Sequence, residues 1–274
     1  MRIEDRVKNG AVDYPQSSIP HPQSSIPNPQ SSIPHTLFIS DLHLAACHPH
    51  SMAAFRHFIA SAAAQADALY ILGDLFDYWA GDDDMQDEFH QQVIAAMRSL
   101  AGNGTRVCLM QGNRDLLMGE ALAGACGAVL LTDPTLLDLY GTPTLLSHGD
   151  TLCTDDVEYQ HFRVQVHSAD FQSQFLAQSL AARKAYIEQL RQHSAAEKQL
   201  KSLAIMDVND DAVARLLREY HYPRLIHGHT HRPQRHEHNV DGRVCERWVL
   251  GDWDTRANAL RVDASGIRWQ TVAD

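Results

Sequence analysis

From Thr36 onward the chain alternates short unbroken apolar runs with longer stretches whose apolar residues recur at helical spacing. Thr36-Leu37-Phe38-Ile39-Ser40, Ala68-Leu69-Tyr70-Ile71-Leu72, Arg106-Val107-Cys108-Leu109-Met110, Pro143-Thr144-Leu145-Leu146 and Arg224-Leu225-Ile226 each lead to Gly or a polar residue. Runs of this length without polar alternation predict strands buried on both faces. Phe55, Phe58, Ile59 and Ala62 predict a helix over Met52 to Ala64, and Phe89, Val93, Ile94 and Met97 another over Gln86 to Leu100. Val157 to Ile205 lacks Gly and Pro and spaces Phe162, Val166, Phe171, Phe175, Leu176 and Leu180 as a helix does, which predicts a helical cap inserted into the main domain. Asp207 and Asn209 supply capping residues before a helix bearing Val213, Leu216 and Leu217. Strands and helices in this order make an α/β fold, whose strand carboxyl ends carry the site.

The first 35 residues break the pattern. Pro15 to His35 contains three copies of Pro-Gln-Ser-Ser-Ile-Pro, and two prolines per repeat exclude a helix, so residues 1–35 read as a disordered linker ahead of a domain over 36–274. A chain of 274 residues can bury a substantial core in one domain. Its formal charge of -11 opposes a nonspecific nucleic-acid binder, which needs a basic field. Five cysteines without Cys-x-x-Cys spacing argue against a disulfide framework and read as small core residues in a reducing cytoplasm. No apolar run approaches the roughly 18 residues of a membrane span, so a cytosolic or membrane-surface protein is expected.

The polar residues at the run ends change the picture most. Asp41-Leu-His43, Gly73-Asp74, Gly112-Asn113-Arg114-Asp115, Ser147-His148-Gly149 and Gly228-His229-Thr230-His231 gather metal-seeking side chains at five strand ends. A single Asp-x-His or Gly-Asp is usually a turn, but five in order describe a two-metal phosphoesterase site. Asp74 is the natural bridge between the ions. Carboxylate, imidazole and one neutral amide without thiolate suit two borderline-hard divalent ions, manganese first, better than magnesium or calcium. His227, His229 and His231 alternate and would share one face of an extended segment, which leaves open which two bind. Asp115 is expected to stand behind the ligands, bonded to His43 or His148. Asp82-Asp83-Asp84 reads as a solvated loop.

These motifs resemble those of the calcineurin-like metallophosphoesterases, a resemblance that implies two facing sheets flanked by helices. It also implies His229 and His231 as ligands, with Asp41, His43, Asp74 and His231 holding one metal and Asp74, Asn113, His148 and His229 the other. Longer stretches, Tyr70 to Phe76, Gly81 to Asp84, His148 to Asp156, Lys201 to Asp207 and His227 to Pro233, are similar to the UDP-2,3-diacylglucosamine hydrolases of bacterial lipid A synthesis. That family implies cleavage of the substrate's pyrophosphate by attack of a metal-activated water on the α-phosphorus, giving UMP and 2,3-diacylglucosamine 1-phosphate. It further implies substrate contacts at Asn113, Arg114, Asp156, Ser194, Lys198, Lys201 and His229, with charge on the phosphate oxygens met by Arg114 and His229. Lys198 departs from the family pattern, which has Asn there.

Arg163, Arg183, Lys184, Arg191, Lys198 and Lys201 make the expected cap basic, opposite to the chain as a whole. An amphipathic, basic segment fits a lipid phosphate and peripheral attachment to the anionic cytoplasmic face of the inner membrane. No obligate protein partner is implied. The alternative activity is a broad-specificity metal-dependent phosphodiesterase.

Overall fold

The computed structural model describes residues 33–200, 207–253 and 257–272, with residues 192–200 described by backbone alone. Of the N-terminal repeats, residues 15–32 lie outside the described residues; His35, read as the end of the linker, is instead the buried first residue of the first strand. Strand β1 (His35–Ile39) is buried at every position and runs parallel to β2 (Ala68–Leu72), which is followed by parallel β3 (Arg106–Met110) and β4 (Val129–Leu131). Antiparallel β10 (Asn258–Asp263) and β11 (Gly266–Thr271) complete a sheet of order β11-β10-β1-β2-β3-β4. The second sheet has the order β5-β6-β7-β9-β8, from β5 (Thr135–Leu139), β6 (Thr142–Ser147), β7 (Arg224–His227), β8 (Gln234–Val240) and β9 (Arg243–Val249).

Register decides where the chemistry lies. Ile39 pairs with Ile71, and Leu72 with Met110, so the residues after β1, β2 and β3 emerge at one edge. In the other sheet Ser147 pairs with His227 and His227 with Val249, which brings His148, Gly228 and Leu250 out together.

The central layer holds Phe38, Leu72, Met110, Leu146, Ile226, Trp248 and Leu260, drawn from both sheets, which therefore face each other. Leu37, Ile39, Leu69 and Ile71 turn outward onto helices α1 (Pro49–Ala60), α2 (Glu88–Gly102) and α3 (Glu120–Cys126). Leu145 and Leu225 turn the opposite way, onto α7 (Asp210–Glu219). A strand covered on both faces needs apolar residues at every position, which is why the sequence shows runs there.

The five runs are strands, and the helices fall near their expected places. α1 starts three residues early because Pro49 suits a first turn, and α2 is capped by the Asp87 carboxylate, which accepts from Phe89 N at 3.0 Å. Asn209 caps α7 in the same way, accepting from Ala212 N at 3.0 Å. All five cysteines are free thiols; four are buried and Cys47 is exposed.

The long insertion is three helices: α4 (Val157–Val166), α5 (Ala169–Leu176) and α6 (Leu180–Leu200). Ser168 breaks the first from the second by capping α5. Of its predicted inward residues Val166 and Phe175 are buried, whereas Phe162 and Leu176 are exposed.

Two charge readings need correction. Asp82-Asp83-Asp84 is no solvated loop: Asp82 accepts from Trp79 Nε1, Gly119 N and Leu122 N, and Asp84 is buried. Nor is the insertion's basic charge free for a membrane. Arg163 pairs with Asp150 at 2.6 Å, Arg183 with Asp83, Lys184 with Asp84 at 2.6 Å and Arg191 with Asp77, so four of the six cations dock the helices onto the main domain. The side chain of Lys198 and all of Lys201 lie outside the described residues. Asp84, Asp87 and His90 stand close enough to hold an ion, but the Lys184 ammonium already sits against both carboxylates.

Candidate metal centre

The loops after β1, β2, β3, β6 and β7 meet at the shared edge, and their backbone is bent to aim side chains inward. Asp41, His43, Asp74, His229 and His231 have φ of 56°, 46°, 53°, 70° and 56°. A left-handed conformation costs a non-glycine residue about 1–2 kcal/mol. Five of the nine described non-glycine residues with positive φ are thus candidate ligands, a concentration of strain that marks a functional site. The glycines answer a need for space. A Cβ on Gly73, whose φ is 90°, would fall 2.4 Å from His148 Nδ1, and one on Gly228 would fall 1.8 Å from Ser40 Oγ.

Two groups of donors form around Asp74. In the first, His43 Nε2 lies 3.3 Å from His231 Nε2, and His231 Nε2 lies 3.4 Å from Asp41 Oδ1. In the second, Asn113 Oδ1 lies 3.1 Å from His148 Nε2 and 2.9 Å from His229 Nδ1. Asp74 faces both: Oδ2 is 3.8 Å from His43 Nε2, and Oδ1 is 3.8 Å from His148 Nε2.

Three of the donors, His148, Asp41 and Asp74, are held from behind. His148 Nδ1 donates to Leu72 O at 2.9 Å, which turns Nε2 into the site. Asp41 accepts from His229 N at 2.9 Å and from Ser40 Oγ at 2.5 Å. Arg114 N donates to Asp74 Oδ1 at 2.8 Å. Asp115 does not bond His43 or His148; its buried carboxylate accepts from Gly112, Asp74, Leu75 and Phe76 backbone N–H groups and so ties the second loop to the third.

His227 is excluded from both groups by its position. It is the last residue of β7, fully buried, with Nδ1 on Gly228 O and Nε2 3.2 Å from Arg247 Nη1. Burial and the Arg247 charge hold its pKa down at about 3. The extended alternation expected of the three histidines stops at Gly228, because the left-handed residues beyond it leave the strand.

Without a cation the centre is electrostatically unsettled. Burial lifts the Asp74 carboxyl to about 7 against the pull of His148, with Asp115 and Asp41 adding to the rise. Burial works against charge on His148 and His231 too. Asp74, Asp150 and Asp41 overcome it at His148, which reaches about 9; Asp252 and Asp41 overcome it at His231, which reaches about 10. Burial and His148 press His229 down to about 3. Opposed shifts in so small a volume mark a functional site. The donor set fits metal ions: imidazole nitrogens face each other at hydrogen-bond range, carboxylates flank them, and no thiolate intervenes.

All seven sequence-predicted ligands are brought together, with Arg114 beside them. Asp156 lies at the start of α4, where Oδ1 caps the helix by accepting from Tyr159 N at 3.1 Å. Ser194 and Lys198 belong to the part of α6 described by backbone alone. Sequence reasoning missed Asp252, whose Oδ2 lies 3.2 Å from His231 Nδ1. The signal was present, since Trp248-Val249-Leu250-Gly251-Asp252 repeats the pattern of an apolar run closed by Gly-Asp. It also missed Tyr159, whose ring stacks on His229 with centroids 5.7 Å apart. Nothing in a helical Tyr betrays such a contact.

Comparison with known proteins agrees with this geometry. The family model described as calcineurin-like phosphoesterase matches residues 34–233. Curated relatives named UDP-2,3-diacylglucosamine hydrolase include one from Aromatoleum aromaticum, 53% identical over 84% of this chain and 94% of its own length. Those from Edwardsiella ictaluri and Cellvibrio japonicus are each 48% identical over 85% of this chain, covering 90% and 97% of the relative.

Proposed function

The chain belongs to the calcineurin-like phosphoesterases and, within them, to the UDP-2,3-diacylglucosamine hydrolases, and we propose that it cleaves UDP-2,3-diacylglucosamine by attack at the α-phosphorus. The products are UMP and 2,3-diacylglucosamine 1-phosphate, a step of lipid A synthesis. The chain is a metal-dependent hydrolase. The observation that carries the two-metal reading is Asp74, whose two oxygens face His43 and His148 on opposite sides.

In this reading Asp41, His43, Asp74 and His231 would hold one divalent ion, and Asp74, Asn113, His148 and His229 the other. Manganese suits this nitrogen and oxygen set. Bound there, two such ions would supply charge to polarise phosphate oxygens and to lower the pKa of a water toward neutrality. The protein's part is to place and to neutralise. Arg114, fixed beside the bridge by its backbone bond to Asp74, meets charge on the phosphate oxygens. His229, kept neutral by burial, orients the phosphate with Asn113. The lipid 1-phosphate leaves with little need of a proton.

Substrate choice is assigned to helices α4 to α6 as a cap over the centre. The likeness to the hydrolase family supports Asp156, Ser194 and Lys201 as contacts to the sugar, uridine or phosphate portions, with Lys198 in place of that family's Asn. Exposed Val157, Phe162, Val164, Leu176 and Tyr186 support an acyl-chain path and peripheral attachment to the inner face of the inner membrane. No described helix is long and apolar enough to cross a membrane.

Hydrolysis in ¹⁸O water tests the point of attack. Label in UMP supports attack at the α-phosphorus; label in the lipid 1-phosphate overturns it.

A further inference from the structure

Helix α4 reaches the metal centre through a contact that the hydrolytic scheme above leaves unused. Asp150 stands two residues beyond His148 and is buried. Its Oδ2 accepts from Tyr159 Oη at 3.0 Å and from Arg163 Nε at 2.6 Å, while its backbone oxygen accepts from Gln160 Nε2 at 2.8 Å. Three residues of α4 thus close on one residue of the loop that carries His148. Tyr159 in turn lays its ring on His229, 29° from parallel at 5.7 Å, and the His229 ring meets His148 edge-on at 5.1 Å.

We propose that Asp150 and Tyr159 form a positioning link through which α4 seats the His229 imidazole, so that the Asn113–His148–His229 group is complete only with α4 docked. His229 sits on a left-handed residue, and its backbone N–H is taken by Asp41. Its ring can still turn about the Cβ–Cγ bond. Tyr159 covers one face and His148 stands against the ring, which leaves Nδ1 aimed at Asn113 Oδ1, 2.9 Å away. The Tyr159 ring is held in turn by its hydroxyl on Asp150. A helix that contributes to substrate choice therefore also completes a catalytic group, and the two functions become linked: lifting α4 withdraws the ring that fixes His229. Tyr159 acts through His229 and is a positioning residue.

The inference rests on the two-metal reading and is tested on the full chain, stripped of metal and titrated with Mn²⁺ by calorimetry. Tyr159→Leu removes the stack and is expected to weaken one of two binding events by about 10–100-fold while leaving the other unchanged. Tyr159→Phe keeps the ring but loses the hydroxyl bond to Asp150, and is expected to recover part of that loss and not all of it. Thermal unfolding in chelator establishes that both variants are folded. A Tyr159→Leu isotherm identical to wild type overturns the link. The same variants assayed on the acylated UDP-sugar give the second reading: a fall in kcat with KM nearly constant supports positioning, whereas a rise in KM alone makes Tyr159 a wall of the substrate site and overturns it. If the wild type binds two ions but releases no UMP from that substrate, the substrate assignment fails while the isotherms still decide the link.

Discussion

The Nε2 atoms of His43 and His231 stand 3.3 Å apart although the two residues are separated by 188 positions in the chain. Two imidazole nitrogens at that distance can share one proton at most, and Asp41 Oδ1 lies 3.4 Å from the second of them. Both histidines are held there by left-handed backbone. A proton on His231 can fill the gap, or a metal ion can take its place, and the next two predictions follow from that exchange.

Asp252 orients His231 by accepting at Nδ1 from 3.2 Å. Asp252→Asn leaves the size of the side chain and removes its charge. Mn²⁺ affinity at the Asp41–His43–His231 group should fall by about 10–100-fold, as for other partners of metal-binding histidines. Calorimetry on stripped protein reads this directly, and unchanged affinity removes Asp252 from the account.

Metal loading should expel protons. In the metal-free centre His148 is raised to about 9 and His231 to about 10, so both rings carry a proton near neutral pH. A ligand nitrogen must lose that proton to bind, so affinity should rise with pH through the neutral and mildly alkaline range. Titration in buffers of different ionisation enthalpy counts the protons released. Binding that releases none contradicts the assignment of these histidines.

Much of this was legible in the sequence because buried parallel strands leave continuous apolar runs, and their ends carry the ligands. Asp41, Asp74, Asn113, His148 and His229 stand just beyond such runs. The left-handed turns were not legible, and they decided the histidine question: only His227 is in the strand, and it is spent on Arg247. Charge partners were equally hidden, since Arg183 meets Asp83 across 100 residues. Local reading gave that cation to a membrane; the fold gives it to the docking of α6.

Arg183 is buried, with Nη1 on Ala80 O and Nη2 on Asp83. Arg183→Ala should cost about 1–3 kcal/mol, the range for a charged hydrogen bond extended downward because Asp83 keeps access to water. A fall in Tm of about 2–10 °C is expected, measured by differential scanning calorimetry. An unchanged Tm would show that α6 is docked by other contacts.

The bridge is the centre of the account, and it is tested by UMP release from UDP-2,3-diacylglucosamine in detergent. Metal-stripped wild type should be inactive and recover with Mn²⁺, while Asp74→Ala should stay more than about 10³-fold slower at saturating Mn²⁺. Full turnover by Asp74→Ala, or turnover by the stripped protein without added metal, would contradict a two-metal centre bridged by that carboxylate.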